Sequence, residues 1–211
     1  MDVSPLFDLR LRTPRLELRL PTTPELDELR ELALGGVHPP EFMPFSIAWT
    51  DDPELPLFVD YHEMRRREWS REEWHLELGV WLGPELVGVQ GLMSENFAET
   101  GRVGTGSWLG QRFQRRGVGT EMRTAVLELA FRGLGAEAAR SGAIDGNAAS
   151  LRVSEKLGYR QVGRSEVAPR GQVVGHADLE LRRSHWQPPF TVEIENLEPC
   201  LPLFGIESLQ G

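Results

Sequence analysis

Residues 15–22, RLELRLPT, alternate apolar and polar positions, the period of a strand with one buried face. The period changes in TPELDELRELAL (23–34), where leucines recur at helical spacing behind a threonine cap and an acidic first turn. Residues 35–56, GGVHPPEFMPFSIAWTDDPELP, follow neither period and read as an irregular connection rich in proline and aromatics. FVDYHEMRRREWSREEW (58–74) reads as a helix with a strongly charged outer face. Three strand patterns follow: HLELGVWLG (75–83), ELVGVQGLMS (85–94) and RVGTGSWLG (102–110), the first two joined by a tight hairpin turn at GPE. An amphipathic helix is expected within QRFQRRGVGTEMRTAVLELAF (111–131), and a strand within EAARSGAI (137–144). A second helix, NAASLRVSEKLG, starts at an Asn147 cap and stops at Gly158, and strands near 159–167 and 172–183 end the core. The order is strand, two helices, three strands, helix, strand, helix, two strands. It predicts a mixed sheet with helices on its faces, and not a purely parallel one.

Composition narrows this picture. A chain of 211 residues with 40% hydrophobic content suits one α/β or α+β domain. A net charge of −9 argues against a broad phosphate-tracking surface, so nucleic acid is a poor partner, although a local basic pocket stays open. The one cysteine, Cys200, excludes an internal disulfide, and MDVSPLFDLR has no signal-peptide pattern; both point to a reducing cytoplasm. No apolar run approaches the roughly 20 residues that span a bilayer, so no membrane association is expected. Of the 23 basic residues only Lys156 is a lysine, which reads as base-composition bias. His38, His62, His75, His176 and His185 show no spacing of a metal site, and no metal is expected.

Positive charge and bare backbone concentrate at one point: Arg115 and Arg116, then Gly117 and Gly119, between a strand ending near Gly110 and a helix. Helix N-termini carry unpaired N–H groups and the positive end of the dipole, and glycines let phosphate oxygens approach them. A tight strand–helix turn with solvated arginines is the other reading. A P-loop lysine is missing, and Met122 stands where a GxGxxG fingerprint needs its third glycine. The pattern is QxxGxG, from Gln114 to Gly119, and some 30 residues on comes IDGNAASLRVSEKLGY. QxxGxG followed at this distance by NxxSxxxxEKLGY resembles the GNAT superfamily of acyl-CoA N-acyltransferases, within it the ribosomal-protein N-terminal alanine acetyltransferase-like group. TPRLELRLPT also resembles that group, and GVHPPEFMPFSIAWT and GSWLGQRFQRRGVGTEMR resemble still more an actinobacterial (hence bacterial) subgroup that includes a mycobacterial succinyltransferase. The resemblance spans roughly residues 8–205.

The resemblance implies a GNAT fold: a mixed, mostly antiparallel sheet of about seven strands with splayed central strands, flanked by about four helices. Its domain would be 1–186, with a proline-interrupted appendage, 187–211, packed on the domain or on a partner subunit and able to carry one more strand. Gln114, Arg115, Arg116, Gly117, Val118, Gly119 and Thr120 would bind the pyrophosphate of CoA. The strand before them would end at a bulge and offer Ser107, Trp108, Leu109 and Gly110 to the pantetheine arm, with the Leu109 N–H as oxyanion donor. Asn147 and Ser150 would lie near the acyl thiol, Ser150 assisting the departing thiolate or simply packing and capping.

Where many relatives carry a general-acid Tyr, this chain has Ser154, and where the alanine group has a Glu it has Pro169. Tyr159 reads as packing. Glu95, Asp145 and His176 are the weak candidates for a base. An α-amine near pKa 8 loses only about 1 kcal/mol to protonation at pH 7, whereas a lysine near 10.4 loses about 4–5, so a missing base favours an α-amine. The implied activity is direct transfer of an acetyl or succinyl group from acetyl-CoA or succinyl-CoA, used as co-substrate with no tightly bound cofactor. The acceptor is a primary amine of a protein N-terminus, a lysine or a small molecule; a non-catalytic acyl-CoA sensor is the alternative. Arg102 and Arg170 are open as partners of a succinyl carboxylate, MPFSIAW as a lining of the acceptor and acyl end or as a covering of the core, and a homodimer or higher oligomer is compatible with the chain.

Overall fold

The computed structural model describes residues 1–207; the last four positions of the 187–211 appendage lie outside the described residues. Nine strands form one sheet: β1 (Arg10–Arg12), β2 (Leu16–Arg19), β3 (Glu73–Leu82), β4 (Glu85–Glu95), β5 (Arg102–Leu109), β6 (Ala138–Ile144), β7 (Arg160–Val167), β8 (Val174–Arg182) and β9 (Glu193–Glu195). Their order is β7-β8-β6-β5-β4-β3-β2-β1-β9, and every neighbouring pair is antiparallel except β5 with β6. The helices are α1 (Thr23–Leu34), α2 (Phe58–Arg67), a single turn α3 (Phe97–Thr100), α4 (Val118–Glu128, continued by a π turn to Gly133) and α5 (Ala148–Lys156).

Two of the nine strands exceed the expected seven, and both lie on one edge. β1 has three residues and one buried side chain, Leu11, too short for alternation to mark it. β9 is the strand of the C-terminal segment and pairs Ile194 with Leu11. The charged helix also ends earlier than its sequence pattern suggests, at Arg67 and not near Trp74. Ser70 stops it: its hydroxyl accepts from the Glu73 N–H at 3.0 Å, and this local bond competes with helix continuation. The chain can then place Trp69 and Trp74 in the core, stacked at 5.9 Å, with Trp74 beginning the alternation of β3.

The main core lies between one face of the sheet and α4, whose side chains from Glu121 to Glu128 are all buried. The C-terminal segment closes the same core. Val192, Cys200, Leu201, Leu203 and Phe204 are buried in it, and the Trp69 indole donates to the Leu203 carbonyl at 2.9 Å. On the other face α1 and α2 cover a second cluster around Leu26, Leu29, Phe58 and Val89. α1 is fixed at its start by Glu25, whose carboxylate accepts from the Thr22 N–H at 2.8 Å and pairs with Arg19. The Arg19 bonds hold the Glu25 carboxyl down at about 2.

Phe204 is fully buried and edge-on to both Trp69 and Trp74. Phe204→Ala should therefore destabilise by about 3–5 kcal/mol in urea unfolding; a loss below 1 kcal/mol would show that the tail is not part of the core.

Candidate active site

The two central strands part company. β5 and β6 pair only where Arg102–Gly104 meets Ala138–Arg140, after which each continues on its outer neighbour alone. Thr105 closes the floor of the resulting wedge. Its hydroxyl donates to the Arg140 carbonyl at 3.2 Å and lies 3.3 Å from the Tyr159 hydroxyl, while Ser141 Oγ reaches the Thr105 carbonyl at 3.5 Å. At the open end the Gly110 N–H donates to the Val87 carbonyl at 3.0 Å. Antiparallel ladders alternate, so Leu109 and Ser107 are the non-hydrogen-bonded positions opposite Gly88 and Gln90. Their N–H groups turn away from β4 and into the wedge.

No bulge ends β5: its register with β4 is continuous from Gly104 to Leu109. The register shift lies one strand over, where β4 meets β3 between Val80 and Trp81 and leaves Val87 without an opposite residue. The crowding is in β4 as well. A Cβ on Gly88 would stand 2.2 Å from the Trp108 carbonyl oxygen, so only glycine fits there.

The loop between β5 and α4 turns sharply, with Arg115 at φ 60° and Gly117 at φ 82°. Gly117 provides no side-chain cap for the first turn of α4. Behind the loop the buried Glu121 carboxylate accepts from Thr13 Oγ1 at 2.7 Å, the Arg15 N–H at 2.9 Å and Arg15 Nε at 2.7 Å. Gln114 holds the front, its Nε2 donating to the Val37 carbonyl at 2.6 Å and the Leu109 carbonyl at 2.9 Å.

A cavity of about 950 Å³ fills the wedge and opens at this loop. Of the residues singled out in the sequence, Ser107, Trp108, Leu109, Gln114, Arg115, Gly117, Gly119, Thr120, Asn147 and Ser150 line it. Gly110, Arg116 and Val118 do not. A Cβ on Gly110 would meet Leu32 Cδ1 at 2.6 Å, which makes its bareness a matter of packing on α1. Arg116 is exposed and its carbonyl accepts from Arg15 at 3.2 Å, while Val118 belongs to the core. Asn147 caps α5 with its Oδ1, which accepts from the Ser150 N–H at 3.1 Å.

Two features of the walls escaped the sequence reading, and a third, His176, was named there as a base candidate without its carboxylate partner. Arg152 and Lys156, one turn apart on α5, line the cavity and add to the charge of Arg115. Arg123 of α4 also lines it, although it is only 5% exposed. Its Nη1 donates to Ser154 Oγ at 2.9 Å and its Nη2 to Ser107 Oγ at 3.5 Å; its Nε has no partner and no carboxylate pairs with it among the described residues. Burial holds its pKa below the ordinary arginine range. The third feature is His176, whose Nδ1 lies 3.0 Å from Asp178 Oδ1 and whose ring lines the cavity. The sequence reading saw no histidine–carboxylate spacing, yet i and i+2 on a strand share a face.

Other candidates lie elsewhere. Glu95 is exposed at the end of β4, and Asp145 is held by Arg164 at 2.6 Å. Arg102 is exposed at the paired base of β5, away from the cavity lining. Arg170 grips Asp51 with two nitrogens, at 2.5 and 2.7 Å, and donates to the Pro40 carbonyl at 2.9 Å, which straps residues 37–51 to the β7–β8 turn. Phe42, Pro44, Phe45 and Ser46 line the cavity from this strap, and Phe45, Trp49, Phe58 and Trp108 form an aromatic chain beneath it. Cys200 is buried in the core, and burial pushes its thiol up to about 11. Among the described residues there is no group of three or more His, Cys, Asp or Glu that could hold a metal, and no helix long and apolar enough to cross a membrane.

A wedge between parallel strands, floored by side chains and opening onto a glycine-flanked helix N-terminus, is the architecture of one acyltransferase class. Residues 15–160 match the model of the GNAT acetyltransferase domain, and the chain belongs to that family. Mycobacterium smegmatis RimJ in complex with CoA-disulfide superposes with a TM-score of 0.70 at 15% identity, covering 94% of this chain and 95% of that one. A GCN5-related N-acetyltransferase from Brucella melitensis gives 0.68 at 20% identity, covering 84% and 80%. RimL, a ribosomal L7/L12 alpha-N-protein acetyltransferase, gives 0.63 at 16% identity, covering 81% and 91%.

A buried guanidinium without a carboxylate is costly to hold, and replacing such charges by apolar groups is often neutral or stabilising. Arg123→Met should leave the melting temperature unchanged or raised; a fall of more than about 10 °C would mark Arg123 as a structural residue.

Proposed function

We propose that this chain is an N-acyltransferase that moves an acetyl or succinyl group from acyl-CoA to a primary amine in a ternary complex. The observation that carries the reading is the register of β5 on β4, which turns the N–H groups of Ser107 and Leu109 toward a wedge that opens onto the first turn of α4. The pyrophosphate would sit at that turn, with Gly117, Gly119 and Thr120 giving it backbone access and Arg115, Arg152 and Lys156 giving it charge. A strand-like pantetheine arm would enter the wedge and take the place β6 vacates beside β5. The Leu109 N–H would then meet the thioester carbonyl, where negative charge develops as the amine attacks. Gln114 supports the loop by its two carbonyl bonds, and Ser150, on the wall, is placed to assist the thiolate.

Acyl choice turns on Arg123 and not on Arg102 or Arg170. It is the buried cation of the wedge wall, so a dicarboxylic acyl chain would find its carboxylate partner there, and with acetyl-CoA the same charge would favour thiolate departure. The acceptor is an α-amine of a protein N-terminus in this reading, in line with RimL, an alpha-N-protein acetyltransferase of ribosomal L7/L12. A net charge of −9 suits basic protein tails in the cytoplasm. A homodimer through the sheet edge belongs to the same reading, because β7 is exposed along most of its length and Val162 is 60% exposed. A sedimentation coefficient of a monomer at micromolar concentration would overturn the dimer.

Thiol release with acetyl-CoA and succinyl-CoA against a panel of N-terminal peptides and small amines tests the activity. Turnover is expected, and Arg123→Met should lower kcat/KM for one donor at least tenfold. A Cβ at position 119 meets nothing closer than 3.7 Å, so Gly119→Glu should fold normally yet weaken CoA binding at least tenfold in calorimetry. Unchanged affinity would remove the glycine loop from the site. Tight CoA binding without turnover on any amine would favour the sensor.

A further inference from the structure

Gly142 stands in β6 at the wall of the wedge with no positive φ to explain it. What fills its side-chain space is the imidazole of His176: a Cβ at 142 would lie 2.1 Å from His176 Cε1 and 2.4 Å from Nε2. The Cε1–Nε2 edge of the ring therefore occupies the space left by bare backbone, with Nδ1 toward Asp178 Oδ1 at 3.0 Å. Asp178 is itself fixed by Ser165 Oγ, which donates to the same oxygen at 2.9 Å. The bonds from His176 and Ser165 hold the Asp178 carboxyl below the usual range, so it stays an acceptor at neutral pH. An acceptor on Nδ1 selects the tautomer whose proton sits there. The Nε2 lone pair is then left over Gly142, in a ring that lines the cavity.

We propose that His176 is the general base of the acyl transfer, with Asp178 as its positioning residue and Gly142 as its seat. The proposal rests on the acyl-CoA reading above and assigns the one role that reading left open. A substrate ammonium, R–NH3⁺, gives one proton to His176 Nε2. The freed amine lone pair forms the C–N bond at the thioester carbonyl carbon, and the C–S bond breaks with its electron pair going to sulfur. The nitrogen's second proton and that electron pair balance as CoA thiol, and the proton on His176 returns to solvent.

The charged groups around the ring are few. Asp178 shares its strand, Arg140 of β6 acts on Asp178, and Arg164 of β7 is paired with Asp145 at 2.6 Å. Arg123 and His38 line the same cavity. Among the described residues none places a second carboxylate on Nε2, which lies beside Gly142, itself a lining residue of the cavity.

The test is the pH profile of kcat/KM, with acetyl-CoA and an N-terminal peptide, for wild type, His176→Gln, Asp178→Asn and Gly142→Ala. A base accepts the proton of a bound ammonium, so wild type should keep its rate at pH values below the amine's own pKa. His176→Gln can use only amine that is already free. Its rate should fall roughly 100-fold at pH 6.5 and approach wild type above the amine's own pKa of about 8. Gly142→Ala should reproduce this shift with the imidazole still present, because the added methyl unseats the ring; Asp178→Asn should do so in part. A merely structural role would lower the rate equally at all pH values. Profiles that keep the wild-type shape in His176→Gln and Gly142→Ala overturn the proposal. Histidine 15N correlation spectra of the wild type give an arm that needs no variant: the Nδ1–H tautomer is expected for His176, and the Nε2–H tautomer overturns it. Calorimetry with CoA separates the two readings. No CoA binding by wild type sinks the acyl-CoA site itself, whereas CoA binding with turnover and an unshifted profile sinks only the base.

Discussion

The site depends on a pairing that stops after three residues. β5 and β6 hold together from Arg102 to Gly104 and then diverge, although both strands continue. A sheet that leaves strand edges unpaired in its interior leaves N–H and C=O groups without partners, which is costly when they are buried. Here the cost is offset on each side. β5 stays zipped to β4 through Leu109 and β6 to β8 through Ile144, so each strand loses only its inward groups. The Thr105 and Ser141 hydroxyls satisfy the Arg140 and Thr105 carbonyls at the floor, and Gln114 satisfies the Leu109 carbonyl at the mouth. What remains open is a short run of strand edge, and that is a binding surface for an extended ligand.

How much of this could be read from the sequence follows the length of each signal. Long alternating or helical stretches, 75–83, 85–94, 102–110 and 147–158, fall where their periods put them. β1 and β9 have three residues each and no period to detect; they exist because Leu11 and Ile194 face one core from two distant segments. Helix α2 misled because charge on its outer face continues past Arg67, while Ser70, the stop, acts through a hydrogen bond that periodicity does not register. In the site, QxxGxG and NxxS mark backbone geometry and were legible. Arg123 was not, since an arginine in a helix reads as solvated until the neighbouring strands are known to bury it. The HAD run, His176 to Asp178, was legible in principle, because alternate strand residues share a face.

Charge is distributed by the same logic. The chain is acidic overall, yet Arg115, Arg152, Lys156 and Arg123 converge on one cavity from the loop, α5 and α4. A concave, partly desolvated site focuses such a field, and the acidic remainder of the surface discourages anions from binding elsewhere. Depth separates the roles. Exposed Arg115 and Arg152 stand at the mouth, where charge is screened and serves attraction, whereas Arg123 lies within the wall, where a guanidinium bonded only to hydroxyls keeps most of its field.

Glycine gives the last link between fold and chemistry, because three bare positions around the wedge have three different physical causes. Gly117 is required by backbone conformation, at φ 82°. Gly88 is required by the approach of β5, whose Trp108 carbonyl occupies the place of a Cβ. Gly142 has a different neighbour: the His176 ring occupies the place of a Cβ, with the Ala177 carbonyl oxygen crowding it at 3.2 Å. A position held bare for a side chain that the core does not need has its cause in the cavity. Alanine at 142 would need the imidazole to swing outward and the Ala177 carbonyl to give by a few tenths of an ångström, and it would cost less backbone entropy in a strand. The close approach of His176 to Gly142 therefore ties this bare position to a residue of the cavity wall.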